Sequence, residues 1–157
     1  MPDYQIEPAT IDQLPEIADL LFELFSEETD FTADREKQMR GVRLILESPS
    51  RGRIFVLRNH ERIFGMINLL FTISTAEGGF AILLEDLVVK PEHRGMGYGS
   101  ALLEHAIAYA REKEFLRITL LAENPRHSSV EFFEHHGFRL SEMATMRLQL
   151  AEPGDQP

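Results

Sequence analysis

The stretch Phe80–Val89 is apolar at every position except Glu85 and Asp86. A run without alternation suits a central strand covered on both faces. Pro91 ends it, since proline has no N–H to give a ladder. The loop Glu92–Gly97 then leads into a helix from Tyr98 to Lys113, with Leu102, Leu103, Ala106, Ile107 and Ala110 on one face. A buried strand that turns through glycines into an amphipathic helix points to helices layered on a sheet.

Shorter elements surround that unit. Tyr4–Glu7 alternates like a strand. Asp12–Phe25 places Leu14, Ile17, Ala18, Leu20, Leu21, Leu24 and Phe25 at helical spacing, with Asp12 as cap and Pro15 in the first turn. Ser26–Ala33 reads as a polar loop, and Asp34–Glu47 as a second helix that Ser48-Pro49 ends and Gly41 weakens. Arg53–Arg58 and Ile63–Ser74 read as strands joined through Asn59-His60-Glu61, and Glu77-Gly78-Gly79 as a turn. Leu116–Leu121 is another strand. Ser128-x-x-Glu131 is a capping box that opens a short helix to His136, stopped by Gly137. Phe138–Leu140 and Thr145–Leu150 complete the strands. The order β-α-α-β-β-β-α-β-α-β-β has tight turns between some neighbouring strands, so the fold class is α/β (α+β) with a mixed sheet. A chain of 157 residues suits a single domain, here with a core over 4–150 and a tail over 151–157.

Composition removes several chemistries. There is no cysteine, which excludes disulfides, thiolate metal sites and a cysteine acyl-enzyme. A net charge of −10 argues against a nucleic-acid partner. No apolar run is long enough for a membrane span, and the N-terminus has neither the basic nor the apolar region of a signal peptide, so the expected location is cytoplasmic. His60, His93, His105 and His127 show no ligand spacing, and no metal is expected. No Lys or Arg precedes Arg35, whereas ten acidic residues from Asp3 to Asp34 do. That asymmetry reads either as a solvated helix face or as a negative rim for a cationic substrate.

The segment Arg94-Gly95-Met96-Gly97-Tyr98-Gly99-Ser100 carries the functional argument. The first turn of a helix has free N–H groups and a partial positive charge that converge on an anion. Glycines allow a phosphate to approach the backbone, and Arg94 adds a permanent charge. No Lys lies inside the loop, which excludes the Walker pattern, and Gly95-x-Gly97-x-Gly99 has the wrong interval for a dinucleotide fingerprint.

Arg94-x-x-Gly97-x-Gly99 after an apolar strand resembles the acyl-CoA loop of the GNAT superfamily of N-acetyltransferases, whose pattern is Arg/Gln-x-x-Gly-x-Gly/Ala. Glu85–Arg94 is similar to the same stretch of diamine acetyltransferases, and Ser129–Phe138 resembles the family's A-x-x-F-Y-E-x-x-G-F. The resemblance spans roughly Tyr4–Leu150 and is most specific from Leu84 to Phe138. It implies a twisted mixed sheet of about seven strands flanked by about four helices, with the fourth and fifth strands splayed. It also implies acetyl-CoA as co-substrate and an amine as acceptor, with a homodimer as one assembly. The pantetheine arm would pair with Leu87, Val88 and Val89 as an added strand. Arg94 to Ser100 would hold the pyrophosphate. Asn124 and Phe133 fall at or near positions where the family also contacts the coenzyme.

Glu85 is the candidate base, directly or through water, because an apolar strand desolvates a carboxyl and raises its pKa. Strict alternation sends Asp86 to the opposite face of the sheet. Glu27, Glu28 and Asp30 lie in and beside the loop after the first helix and would draw a small cationic amine, with Phe22, Phe25, Phe31 and Phe71 as an apolar wall or as core. Two features depart from the family pattern. Phe133 stands where the family's acid is Tyr, and Asn124 lies nine positions before it where about seven is usual. The readings that follow are a small-molecule amine acetyltransferase, a protein N-terminal or lysine acetyltransferase, and an acyl-CoA-binding module without turnover.

Overall fold

The computed structural model describes residues 3–28, 32–122 and 128–151. Its residues group into two compact units, Met1–Leu120 and Leu121–Pro157, described in turn.

The first unit holds a sheet of order β1-β2-β3-β4-β5: β1 Gln5–Pro8, β2 Gly52–Arg58, β3 Ile63–Ser74, β4 Gly79–Val89 and β5 Ile118–Leu120. Every pair is antiparallel except β4 with β5, so the sheet is mixed, as the tight turns required. Helices α1 (Leu14–Glu27), α2 (Arg35–Leu46) and α3 (Tyr98–Glu112) pack on it. α1 and α2 cover one face, where Leu14, Ile17, Leu20, Leu21 and Val42 bury against Ile54, Val56, Ile63, Met66 and Val88. α3 covers the other. Gly65 is needed beneath it, because a Cβ there would sit 3.1 Å from Leu102 Cδ1 and 3.3 Å from the Val88 carbonyl.

Local chemistry explains most boundaries. Asp34 caps α2 by accepting from the N–H groups of Glu36 and Lys37 at 3.1 and 3.3 Å. The start of α1 differs from the expectation. A 3-10 turn, Ile11–Gln13, precedes it, and Gln13 Oε1 accepts from the Thr10 N–H at 2.9 Å. Asp12 accepts from the Thr10 hydroxyl instead of capping α1. Pro15 does fall in the first turn of α1. Glu16 Oε2 accepts the Ile63 N–H at 3.1 Å and ties that turn to β3.

In the second unit α4 spans Ser128–His135. Gly137, at φ +95°, stops it, and the Phe138 N–H closes back on the Phe133 carbonyl at 3.1 Å. The expected strands Phe138–Leu140 and Thr145–Leu150 are absent, so the described residues hold five strands and not seven. Met146, Leu148 and Leu150 alternate as a strand would, yet they are 94%, 81% and 90% exposed. Alternation supplies one apolar side, but a strand also needs a partner for its backbone, and none of the described residues pairs with this segment.

Gly52 is the point where the sheet tolerates least. A Cβ there would lie 2.8 Å from the Leu69 carbonyl oxygen, which belongs to the central strand β3. Gly52→Ala is expected to lower stability by about 1–3 kcal/mol in urea denaturation, whereas Gly41→Ala, with open space on α2, is expected to raise it slightly.

Candidate functional site

The site begins where β4 loses one of its two neighbours. β3 pairs with β4 from Ser74↔Gly79 to Gly65↔Val89. β5 pairs with it only at Ile82, Leu83 and Leu84. Among the described residues no strand covers that edge beyond Leu84. The Lys90 N–H donates to the Phe64 carbonyl at 2.9 Å, so Lys90 turns its backbone to β3. Alternation then turns Val89 and Leu87 outward to the open edge and Val88 back to β3. The Val88 side chain is core beneath α1. Of the three residues expected to pair with a ligand strand, Leu87 and Val89 present backbone groups to it and Val88 does not.

β4 carries a bulge at the start of this edge. Asn68 pairs with Asp86, but Leu69 pairs with Leu84, so Glu85 is the extra residue. Alternation fails at a bulge, which changes the expectation for the two carboxylates. Glu85 is exposed, and the desolvation expected for it falls on Asp86, which is 8% exposed. Asn68 Nδ2 donates to Asp86 Oδ2 at 2.9 Å. Burial pushes the Asp86 carboxyl up to about 7; the Asn68 amide opposes this, and the charges of Glu85 and Glu28 reinforce it. The sequence signal for Asp86 was its place in an apolar run; without the bulge nothing separated it from Glu85.

A second bulge, in β3, aims the loop. Leu57 pairs with Gly65 and Arg58 with Ile63, leaving Phe64 as the extra residue. Its ring stacks on His93 at 4.5 Å and meets Tyr98 edge-on at 4.9 Å. Tyr4 adds an edge contact to Tyr98 at 5.4 Å. Aromatic packing therefore holds both flanks of the Arg94–Ser100 loop, and Tyr98 acts there as an anchor.

Within the loop, Gly95 and Gly97 have φ of +78° and +87°. A Cβ at either would meet nothing within 4 Å, so glycine is required by conformation and the space before the loop is open. Gly97 is the left-handed N-cap of α3, and the helix ladder starts with the Ala101 N–H on the Gly97 carbonyl at 3.0 Å. The Tyr98 and Gly99 amides have no intrahelical acceptor and stand at the positive end of α3. Met96 is exposed, and Ser100 lies in the first turn. Such a turn offers a cradle for a phosphate.

Arg94 does not extend into that cradle. Its Nε donates to the Val89 carbonyl at 2.9 Å, and its Nη2 lies 3.4 Å from Glu27 Oε1. It ties the loop to the end of β4 and to α1. Other acids of the N-terminal third are also engaged: Glu7 with Arg58 at 2.6 Å and Asp19 with Arg35 at 2.7 Å. Glu28 acts on Asp86 through its charge. Asp30, Asn124 and Phe31 lie outside the described residues. In the second unit Phe133 packs edge-on against Phe132 and Phe138 at 5.1 and 5.6 Å, a carbon ring with no proton to give. Phe71 packs against Phe115 at 5.0 Å. The described residues contain no group of three side chains able to hold a metal, and no helix long and apolar enough to cross a membrane.

The geometry has counterparts in known proteins. The acetyltransferase (GNAT) family model matches residues 14–138. Glucosamine 6-phosphate N-acetyltransferase of Trypanosoma brucei brucei is 33% identical over 62% of this chain and 65% of its own length. Aminoalkylphosphonate N-acetyltransferase of Salmonella typhimurium is 28% identical over 90% of this chain and 88% of its own. Streptothricin acetyltransferase A of Bacillus subtilis is 35% identical over 43% of this chain, which spans 39% of that protein. The chain thus spans less than two thirds of the trypanosomal and Bacillus relatives. Integron cassette protein HFX_CASS3, from the mobile metagenome of Cole Harbour Salt Marsh, shares the fold with a TM-score of 0.82 at 23% identity, covering 97% of this chain and 94% of that one. An aminoglycoside acetyltransferase from an uncultured soil metagenomic sample, solved in complex with sisomicin, gives 0.74 at 16% identity, covering 96% and 97%. The strand, loop and helix of the site all lie within the matched residues, and the chain belongs to the acetyltransferase (GNAT) family.

Proposed function

We propose that this chain is an acyl-CoA-dependent N-acetyltransferase that moves the acetyl group of acetyl-CoA to a primary amine by direct attack in a ternary complex. The observation that carries the reading is the open edge of β4 at Leu87 and Val89, which runs straight into the glycine loop and the start of α3. Backbone groups of Leu87 and the Val89 N–H suit an added pantetheine strand, since Arg94 already occupies the Val89 carbonyl. The Gly95, Met96, Gly97, Tyr98, Gly99 and Ser100 backbone suits the pyrophosphate, with Arg94 stabilising the loop from behind.

An amine with an ordinary pKa of about 10 must lose a proton before it attacks. Glu85 stands exposed on the bulge at the same edge, and we assign it as the base, directly or through water. The nitrogen lone pair forms the C–N bond, the C–S bond breaks, and the coenzyme leaves as thiolate. The nitrogen passes its second proton to water and water returns one to the thiolate, the chain having Phe133 where the family pattern has a tyrosine. The negative charges of Glu85 and Glu28, both of which act on Asp86, together with Glu27 in the last turn of α1, favour a small cationic acceptor. Phe133 favours a second reading, in which the chain binds acyl-CoA without turnover.

Thiol release from acetyl-CoA with polyamines, amino acids and peptides tests these readings. Release with small cationic amines is expected. Release with peptides alone would move the acceptor to proteins, and CoA binding without release under any amine would leave the binding module. Gly97→Ala is expected to weaken CoA binding about tenfold by calorimetry, with Gly41→Ala as the unaffected control. Equal affinity in the two variants would remove the loop from the site. Glu85→Gln is expected to lower kcat and flatten the pH–rate profile while CoA affinity stays constant. A wild-type profile in that variant would exclude Glu85 as base.

A further inference from the structure

The cross-strand pair Asn68↔Asp86 is the last in register before the bulge, and Glu85 is the residue that the bulge releases. Both members of the pair are buried, at 3% and 8% exposure. Their side chains meet inside the sheet, Asn68 Nδ2 donating to Asp86 Oδ2 at 2.9 Å. The second polar atom of the amide, Asn68 Oδ1, is buried with no hydrogen-bond partner. It is an acceptor that lacks a donor.

A carboxylate cannot fill that gap, because it only accepts. A carboxylic acid can, through its O–H. The charges that act on Asp86 lead to the same state. They come from Glu85 on its own strand and Glu28 at the end of α1, both anions, while β3 presents the uncharged Asn68. An ionised Asp86 would sit buried beside two negative charges with an unfilled acceptor opposite, and each of these is unfavourable. One proton relieves all three.

We propose that Asn68 and Asp86 form an acid–amide couple, joined by two hydrogen bonds through one retained proton, which locks the bulge and so positions Glu85. Asp86 is then a positioning residue. The couple itself stands on the strand pairing, and its effect on turnover rests on the acyl-transfer reading through Glu85. A folded-state pKa of about 7 against the ordinary 3.8 fits this arrangement. The folded chain keeps a proton that the unfolded chain releases, so the couple's contribution to stability declines as the pH rises from about 4 towards 7 and is level above that range.

Asp86→Asn is the informative variant. A carboxamide supplies one donor and one acceptor, keeps both hydrogen bonds and cannot ionise. A carbon-13 titration of the Asp86 carboxyl is expected to give a midpoint near 7, and an ordinary carboxylate midpoint would overturn the proposal. Asp86→Ala is expected to lower kcat about tenfold with CoA affinity unchanged, and Asp86→Asn to restore it to within about threefold of wild type near pH 6. The ratio of wild-type to Asp86→Asn turnover, which cancels the titration of the amine, is expected to be constant below about pH 6, to fall through about pH 7 and to level off above about pH 8. A flat ratio would overturn the proposal. So would loss of turnover in folded Asp86→Asn, because Asp86 would then be a reacting group. If no amine releases thiol from the wild type, the acyl-transfer reading fails on its own. The titration and thermal melting still judge the couple, Asp86→Asn being expected to match the wild type near pH 4 and to melt progressively higher than it as the pH rises towards about 7, with a constant difference above that.

Discussion

β4 keeps its ladder with β3 along its whole length and its ladder with β5 for three residues only. Backbone groups released in this way need partners, and at Leu87 and Val89 they face an edge that a ligand strand can use. The bulge at Glu85 sits where the second ladder ends. A bulge bends its strand and increases the local twist. The exposure of Glu85 and the burial of Asp86 follow from that irregularity.

The loop depends on a second irregularity of the same kind. Phe64 is extra in β3, and its ring leaves the sheet pattern to pack on His93 and Tyr98. The loop's shape comes from positive φ at Gly95 and Gly97, but its placement comes from those rings and from Arg94 bridging Val89 and Glu27. The exposed Arg94–Glu27 pair adds little energy by itself. Its value is geometric, because it joins the end of β4, the loop and α1.

The acidic N-terminal third divides into two roles. Glu7, Asp19 and Glu27 pair with arginines, and Glu16 caps a β3 N–H, so much of the charge asymmetry is structural. Glu28 and Glu85 act electrostatically on buried Asp86. Among the described residues, the charges that act on Asp86 beside β4 are these two.

The sequence by itself determined the buried strand Phe80–Val89, the helices, the mixed sheet and the glycine loop, because periodicity, proline and glycine act over a few residues. Its motifs, from Glu85-Asp86 to Arg94-x-x-Gly97-x-Gly99, were enough to indicate the family. It did not determine which carboxylate is buried. Alternation assigns faces only while register holds, and the shift between Asn68 and Leu69 is a property of two strands together. It did not show that Arg94 turns back to Val89, since that contact depends on where α1 ends. It suggested strands at Phe138–Leu140 and Thr145–Leu150 from side-chain pattern alone. Whether a segment becomes a strand is decided by a neighbouring backbone, and only the tertiary structure supplies or withholds one.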